Sequence, residues 1–283
     1  ATLPWAAPGL PAHAYAQSGP GDVLWARFTN GASITLDGVL DEAEWAQAES
    51  VVVRYGFDTG IPGSGWRIEG GTFLPNDSTY AVIKVLAKDN QFYMGAVVRD
   101  KSIGGSSAFN RFDRFLMAIK DHAVDGRPAP PSEYLYSWWY AESTDPQPAG
   151  QGPNFWGRWA NWPPGSARSA EQIENWDAAT VVNGLSNSDP GPDVSWTTEM
   201  RFNLTPLGYD ITQSGGDIVE WNISIYDTDW FWPLIAQFCA NRVWYQGPWG
   251  NSSGYNEVRL YARPEVTVAS GAVPAASLAP ELL

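Results

Sequence analysis

The sequence predicts an all-β fold, a jelly-roll-like antiparallel β-sandwich with one long insertion. Short segments of alternating or β-branched residues recur along the chain, separated by Gly, Pro, Asn and Asp. Segments with helical periodicity are scarce. One stretch, about 126–175, interrupts the strand pattern with many Trp and Pro residues. Many short strands with turn residues and little helix are typical of a sandwich or barrel.

The predicted strands follow one another from residue 33 to residue 261. The segments 80–86 and 91–98 flank a turn around Asp89 and Asn90, which predicts a hairpin. An acidic stretch at 41–45 predicts one capped helical turn. The other predicted strands are 33–37, 51–55, 115–119, 134–140, 178–182, 196–202, 219–225 and 257–261.

The two ends of the chain differ from the body. Pro and Gly in segment 1–22 exclude regular structure there, so we expect a flexible segment. Ala14, Tyr15 and Ala16 match a small-x-small processing site, so this segment is either the end of a signal peptide or a linker. Segment 264–283 is expected to be a linker, to which a further domain could be attached. The ordered domain is then 23–263, and we expect a bacterial protein that is secreted, periplasmic or on the cell surface.

Composition and charge exclude several classes of function. The formal net charge of −14 provides no basic footprint for nucleic acid. No stretch approaches the ~18–20 apolar residues of a membrane span. The single cysteine, Cys239, excludes an intrachain disulfide. The two histidines, His13 and His122, leave little room for a Ser-His-Asp set. A neutral ligand or a cation remains as the expected partner.

The chain contains sixteen Trp and twelve Tyr residues. Trp is seldom fully buried, because it is large and its indole N–H needs a partner. We expect about half of the indoles to fill the core. The remainder are expected on the surface, where an aromatic ring can pack against the apolar C–H face of a sugar.

Five segments together resemble family 9 carbohydrate-binding modules and their relatives. They occur in the order found in that family, over about 30–262, with the Trp-rich stretch as an insertion. The segments are Ile34 to Trp45, Val82 to Asp100, Trp196 to Gly208, Trp221 to Asp229 and Asn256 to Leu260. The resemblance implies a non-catalytic module, free or attached to a glycoside hydrolase, that binds polysaccharide or oligosaccharide.

The resemblance also implies where the sugar binds. In this family two aromatic rings clamp a terminal sugar, and surrounding polar side chains bind its hydroxyls. The second clamp position falls on Trp249, next to Gln246, and the first falls near Phe109 and Asn110. Trp138 and Trp139 could supply further rings, although alternation places them on opposite faces of their strand. The family's acidic residue in this region is replaced by Leu116, so the set that binds the hydroxyls is changed.

Members of the family hold structural calcium. Carboxylates where strands end suit such a hard cation, and Asp100, Asp227 and Asp229 are the candidate ligands. Solvated turn aspartates are the alternative interpretation.

Three other functions remain open at this point. Relatives with the same sandwich carry haem b in gamma subunits of ethylbenzene-dehydrogenase-type enzymes. The candidate axial ligands here are Met94, Met117, Met200, Lys120 and His122. A hydrolase or lyase would need paired carboxylates, and Glu133, Glu142, Asp145 and Glu199 form no recognised pair. A structural or adhesive surface module would use an aromatic patch as a protein interface.

Overall fold

The computed structural model describes residues 23–29, 34–57, 64–71, 79–104, 113–123, 132–138, 154–157, 170–185, 193–231, 236–245 and 258–269. Within these residues fourteen strands form two sheets, which confirms the predicted all-β sandwich. The strands are β1 (Val23–Trp25), β2 (Arg27–Phe28), β3 (Glu49–Arg54), β4 (Gly65–Gly71), β5 (Tyr80–Lys88), β6 (Gln91–Arg99), β7 (Arg114–Lys120), β8 (Ser132–Trp138), β9 (Asn154–Gly157), β10 (Trp176–Asn183), β11 (Ser195–Asn203), β12 (Asp217–Phe231), β13 (Ala236–Trp244) and β14 (Val258–Ala262).

The larger sheet, called the front sheet here, has the strand order β1-β14-β12-β7-β8-β9, and β13 and β4 extend it from the second half of β12. The back sheet has the order β10-β11-β6-β5-β2, and β3 also pairs with β5. The described pairs are antiparallel with two exceptions. β1 runs parallel to β14 in the front sheet, and β2 runs parallel to β5 in the back sheet.

The predicted hairpin is present as β5 and β6. The two strands pair over nine residues each without a shift in register. Asp89 takes a positive φ of 51° in the two-residue turn, a conformation that Asp tolerates better than most residues. This hairpin forms the centre of the back sheet and pairs through β6 with β11.

The core lies between the two sheets and is rich in aromatic side chains. Phe115, Ile223 and Ile225 project from the front sheet into it. Phe92 stacks on Phe202 with ring centroids 5.1 Å apart, and Trp196 meets Phe115 edge to face. Because side chains alternate along a strand, the residues between these core positions lie on the outer face of the front sheet.

The segment 34–48 covers part of the outer face of the back sheet. Its described residues 34–37 do not form the predicted strand, and the backbone N–H groups of Thr35 and Asp37 donate to the carboxylates of Glu42 and Glu199 instead of to a neighbouring strand. Glu199 of β11 accepts hydrogen bonds from the backbone N–H groups of Asp37 and Gly38, at 3.1 and 3.0 Å. It also accepts one from Trp45 Nε1 at 2.9 Å. The predicted helical turn is a 3-10 helix at Ala43–Ala46, and it buries Trp45.

Several described elements have no counterpart in the prediction. They are β1, β2, β4, β9, β13, a short helix α1 (Ala170–Asn175) and a 3-10 helix at Thr205–Leu207. Among the residues that the structure describes, no helix is long and apolar enough to cross a membrane.

Candidate functional site

The expected sugar-binding residues fall largely outside the described part of the chain. Phe109, Asn110, Trp139, Gln246 and Trp249 all lie outside it. Trp138 is the last residue of β8, where its backbone is opposite Arg114 of β7. The sugar-binding role of these residues therefore stays a prediction. The described strands β4, β12 and β13 form a face with further candidate residues.

The outer face of the front sheet contains a set of polar and aromatic side chains. In β13, Val243 and the following Tyr245 belong to the core, so Arg242 and Trp244 lie on the outer face. Tyr226 of β12 is opposite Arg242, and Ser224 is opposite Trp244. The outer face of β12 and β13 thus contains polar side chains at Ser224 and Arg242, whereas the inner face of the same strands is apolar.

Trp244 lies against the backbone of the neighbouring strand. Gly65 of β4 is opposite Trp244, and a Cβ at Gly65 would come within 2.5 Å of Trp244 Cζ2. Glycine therefore lets the indole approach β4 closely. The indole is only half-buried, so part of it remains open to solvent. We call Gly65, Arg67, Arg242 and Trp244 the outer-face site.

Other described indoles have different surroundings. Trp66 follows Gly65 directly and is 37% exposed, but alternation directs it to the opposite side of β4. The fully buried indoles are Trp45, Trp176, Trp196 and Trp221. Among the described indoles whose burial is given, Trp244 combines an outer-face position with partial exposure, and Trp66 is a matched exposed indole off the site.

Four neighbouring positions of the outer face form a row across four strands. Arg67 is opposite Arg242, Arg242 is opposite Tyr226, and Tyr226 is opposite Arg114. The Cζ atoms of Arg114 and Arg242 lie 4.1 and 5.1 Å from the Tyr226 ring centroid. Arg242 Nη1 also donates to the Tyr226 hydroxyl at 2.7 Å. Arg114 and Arg242 are fully buried, whereas Arg67 is exposed.

A second candidate site is a buried cluster of three carboxylates. One carboxylate oxygen from each of Asp100, Asp113 and Asp227 lies within 4.8 Å of the other two. Asp100 follows β6, Asp113 precedes β7, and Asp227 lies in β12, so the cluster connects the back sheet to the front sheet. Thr79 donates a hydrogen bond to Asp227 Oδ2 at 2.8 Å.

The charge of this cluster is unfavourable without a counterion. Burial raises the pKa of Asp113 well above its ordinary value, and the neighbouring carboxylates of Asp100 and Asp227 raise it further. Two backbone N–H groups, of Gly104 and Thr228, donate to Asp113 and oppose this rise. Three carboxylate oxygens at this spacing are the hard ligands that calcium takes, so the residues fit such an ion.

The cluster overlaps with the predicted metal ligands, whose role stays a prediction. Asp100 and Asp227 were predicted, and their carboxylate oxygens lie close together. Asp113 was not predicted as a ligand, although its place immediately before a buried strand, like that of Asp100 immediately after one, was a usable signal. Asp229 is buried two residues beyond Asp227 and is not one of the three residues whose oxygens meet.

Trp244 was also missed by the sequence reasoning. Its strand, β13, is not among the strands that the sequence predicts. The alternation Val243, Trp244, Tyr245 was the available signal. Gly65 could not have been connected to Trp244, because that contact depends on pairing between strands about 180 residues apart.

The candidate axial ligands for haem are also located. Met94, Met117 and Met200 are buried in the main core cluster between the sheets. Lys120 and His122 instead bind the two carboxylate oxygens of Glu220, at 3.2 and 2.8 Å.

Comparison with known proteins gives similarity in structure alone. No family model matches the chain, and no curated protein matches it. It is similar to a family 9 carbohydrate-binding module from Caldicellulosiruptor kristjanssonii in complex with cellotriose, with a TM-score of 0.47 and 15% identity over 89% of this chain and 98% of that one. A family 9 module from the same organism in complex with glucose has a TM-score of 0.43 and 15% identity, over 83% and 95% of the two chains.

Proposed function

We propose that this chain is a non-catalytic module that binds neutral poly- or oligosaccharide through exposed aromatic side chains. The observation that carries the proposal is the half-buried indole of Trp244, which lies over Gly65 on the outer face of the front sheet. An aromatic ring packed on the backbone offers a surface to the C–H face of a pyranose. Neighbouring polar side chains can then bind the hydroxyls at the edge of the sugar ring. Trp249 is proposed as a second aromatic contact.

A binding role suits the described carboxylates better than catalysis does. Glu199, a carboxylate considered for a hydrolase, is fully buried and accepts three hydrogen bonds from the 37–45 segment. It therefore holds that segment in place, and we assign no catalytic residue. We further propose that the module acts outside the cytoplasm, alone or attached to another domain, because polysaccharides are met there.

A panel of soluble neutral glycans tests the binding proposal. Cellotriose and glucose open the panel, since they are the ligands in the similar structures. Trp244→Ala should weaken binding of the best glycan by roughly 1–3 kcal/mol, the loss expected for an aromatic anchor. Isothermal titration measures this loss.

Trp66→Ala is the matched control, because it removes an exposed indole from the adjacent strand on the opposite face. It should leave the affinity unchanged. Equal affinity of wild type and Trp244→Ala would reject this site, and failure of wild type to bind any glycan of the panel would reject the proposed function.

We also propose that Asp100, Asp113 and Asp227 hold a structural calcium ion. The ion would neutralise three buried carboxylates and fix the ends of β6 and β7 to β12. Calcium added to chelator-treated protein should raise the melting temperature by several degrees, since a ligand at 100 times its Kd stabilises by ~2.7 kcal/mol. Differential scanning fluorimetry measures the shift.

Asp113→Asn should abolish this response, and Asp229→Asn tests whether Asp229 takes part. An identical melting temperature with calcium and with chelator would contradict the proposed ion.

A further inference from the structure

The indole of Trp244 contacts a guanidinium group of its own strand as well as the glycine of the neighbouring strand. Arg242 lies two residues before Trp244 on the same face of β13, and its Cζ atom lies 5.8 Å from the centroid of the indole ring. This distance is within the range of a cation–π contact. The backbone at Gly65 approaches the indole from β4. The ring is therefore held from two directions, while part of it stays open to solvent.

Arg242 is itself held by contacts inside the protein. It is fully buried, its Nη1 donates to the Tyr226 hydroxyl at 2.7 Å, and its Cζ atom lies 5.1 Å from the centroid of the Tyr226 ring. Arg114 reaches the same ring from the other side of β12, with its Cζ atom 4.1 Å from the centroid. A series of contacts thus connects Arg114, Tyr226, Arg242 and Trp244 across three strands.

The charges of this series belong to the interior of the protein. Asp113 directly precedes Arg114, Asp227 directly follows Tyr226, and both carboxylates are buried. The guanidinium groups of Arg114 and Arg242 are closed off from solvent, so they act on aromatic rings and other groups within the protein. An effect of Arg242 on ligand binding is therefore indirect.

We propose that Arg242 is a positioning residue, which holds the Trp244 indole in one orientation before a sugar arrives. This rests on the proposed function and names the residue that orders its aromatic surface. A side chain released from such a contact distributes among the three staggered wells of its χ1 angle. When only one of the three orientations can bind the sugar, the competent fraction falls to about one third and the apparent Kd rises about three-fold.

Replacing Arg242 while keeping the indole tests this role with two measurements. Arg242→Gln removes the positive charge beside Trp244, and its Kd for the best glycan of the panel should be about three-fold higher in isothermal titration. In the ¹H–¹⁵N spectrum of the free protein, the Trp244 Nε1–H signal should be one narrow line in wild type and a broadened or multiple signal in Arg242→Gln. Saturation with glycan should restore one line, because the sugar selects one orientation.

Three further variants separate positioning from a general loss of structure. Arg242→Lys keeps a positive charge within reach of the ring, so it should recover most of the affinity and the single signal. Arg99→Gln is the matched control, because it removes a guanidinium that lies 4.4 Å from the Tyr80 ring centroid in the back sheet, and it should change neither measurement. If Arg242→Gln does not fold, Tyr226→Phe takes its place. That change removes only the acceptor of Arg242 Nη1 and should act in the same direction.

The outcomes distinguish this inference from the proposed function. An unchanged Kd in the variant overturns the positioning role. A raised Kd with the Trp244 signal still one narrow line also overturns it, because the affinity is then lost for another reason. If wild type binds no glycan of the panel, the proposed function fails, while the Trp244 signal of the free variant still decides whether Arg242 orders the indole.

Discussion

The described indoles divide by their surroundings into structural residues and a candidate for ligand contact. Trp176, Trp196 and Trp221 are buried between the sheets, and Trp176 stacks on Phe202. Trp244 instead lies over a glycine on the outer face and is partly open. Whether a strand places an indole in the core or on the outer face thus depends on which side of the sheet that residue's side chain points to.

Glu199 shows how one buried carboxylate can organise a whole segment. Burial is the main reason that its pKa rises from 4.5 to about 7, and three hydrogen bonds from the 37–45 segment oppose the rise. The folded protein therefore binds a proton more tightly than the unfolded chain does. The stabilising contribution is fully present below about pH 4.5 and is lost as the pH rises towards 7.

Replacing Glu199 tests this pH dependence. The free energy of unfolding of wild type relative to Glu199→Gln should fall as the pH rises from 4.5 to 7, by about 3 kcal/mol over the whole interval. Urea unfolding at several pH values measures the difference. Glu171→Gln, at an exposed position of α1, is the control. If the difference in free energy of unfolding between wild type and Glu199→Gln stays constant from pH 4.5 to 7, the pKa of Glu199 is not raised in the folded protein.

Strands and turns with local signals were the ones the sequence could predict. The β5–β6 hairpin has two alternating runs around Asp89 and Asn90, so its turn and pairing are set by adjacent residues. β4 could not be found in this way, because its sequence, Gly65 to Gly71, contains three glycines. Within the described part of the chain it pairs with β13, about 170 residues later, and such a contact leaves no local signature.

The segment 34–48 shows where a local pattern misleads. Residues 33–37 alternate like a strand, but a strand needs a partner, and Glu199 already binds the backbone at residues 37 and 38. Leu36 and Leu40 pack with Trp45 against the back sheet, so the alternation reflects burial of one side of a loop. The secondary structure of this motif depends on a side chain about 160 residues later in the chain, which a local pattern does not reveal.

The members of the buried carboxylate cluster were only partly predictable from the sequence. Asp100 and Asp227 were named as candidate ligands because they lie where strands end, and their oxygens do lie close together. The third, Asp113, joins them only because β7 pairs with β12 in the folded sheet. The indole that lies over Gly65 likewise depends on the pairing of β4 with β13.

The net charge of the whole molecule bears on the kind of ligand that can approach it. A chain with a formal net charge of −14 repels polyanions at long range, and salt screens this repulsion beyond ~8 Å at physiological ionic strength. The overall composition therefore favours the neutral glycan that we propose over a polyanionic one.

Ligand contact with particular indoles can be observed directly by NMR spectroscopy. In a ¹H–¹⁵N spectrum, the indole Nε1–H signals of the sixteen tryptophans are assigned through single Trp→Phe variants. On titration with the best glycan of the panel, the Trp244 and Trp249 signals should shift with one common Kd. The signals of Trp45 and Trp221 should stay fixed. If the glycan binds and the Trp244 signal does not move, the outer-face site is not where this protein holds its sugar.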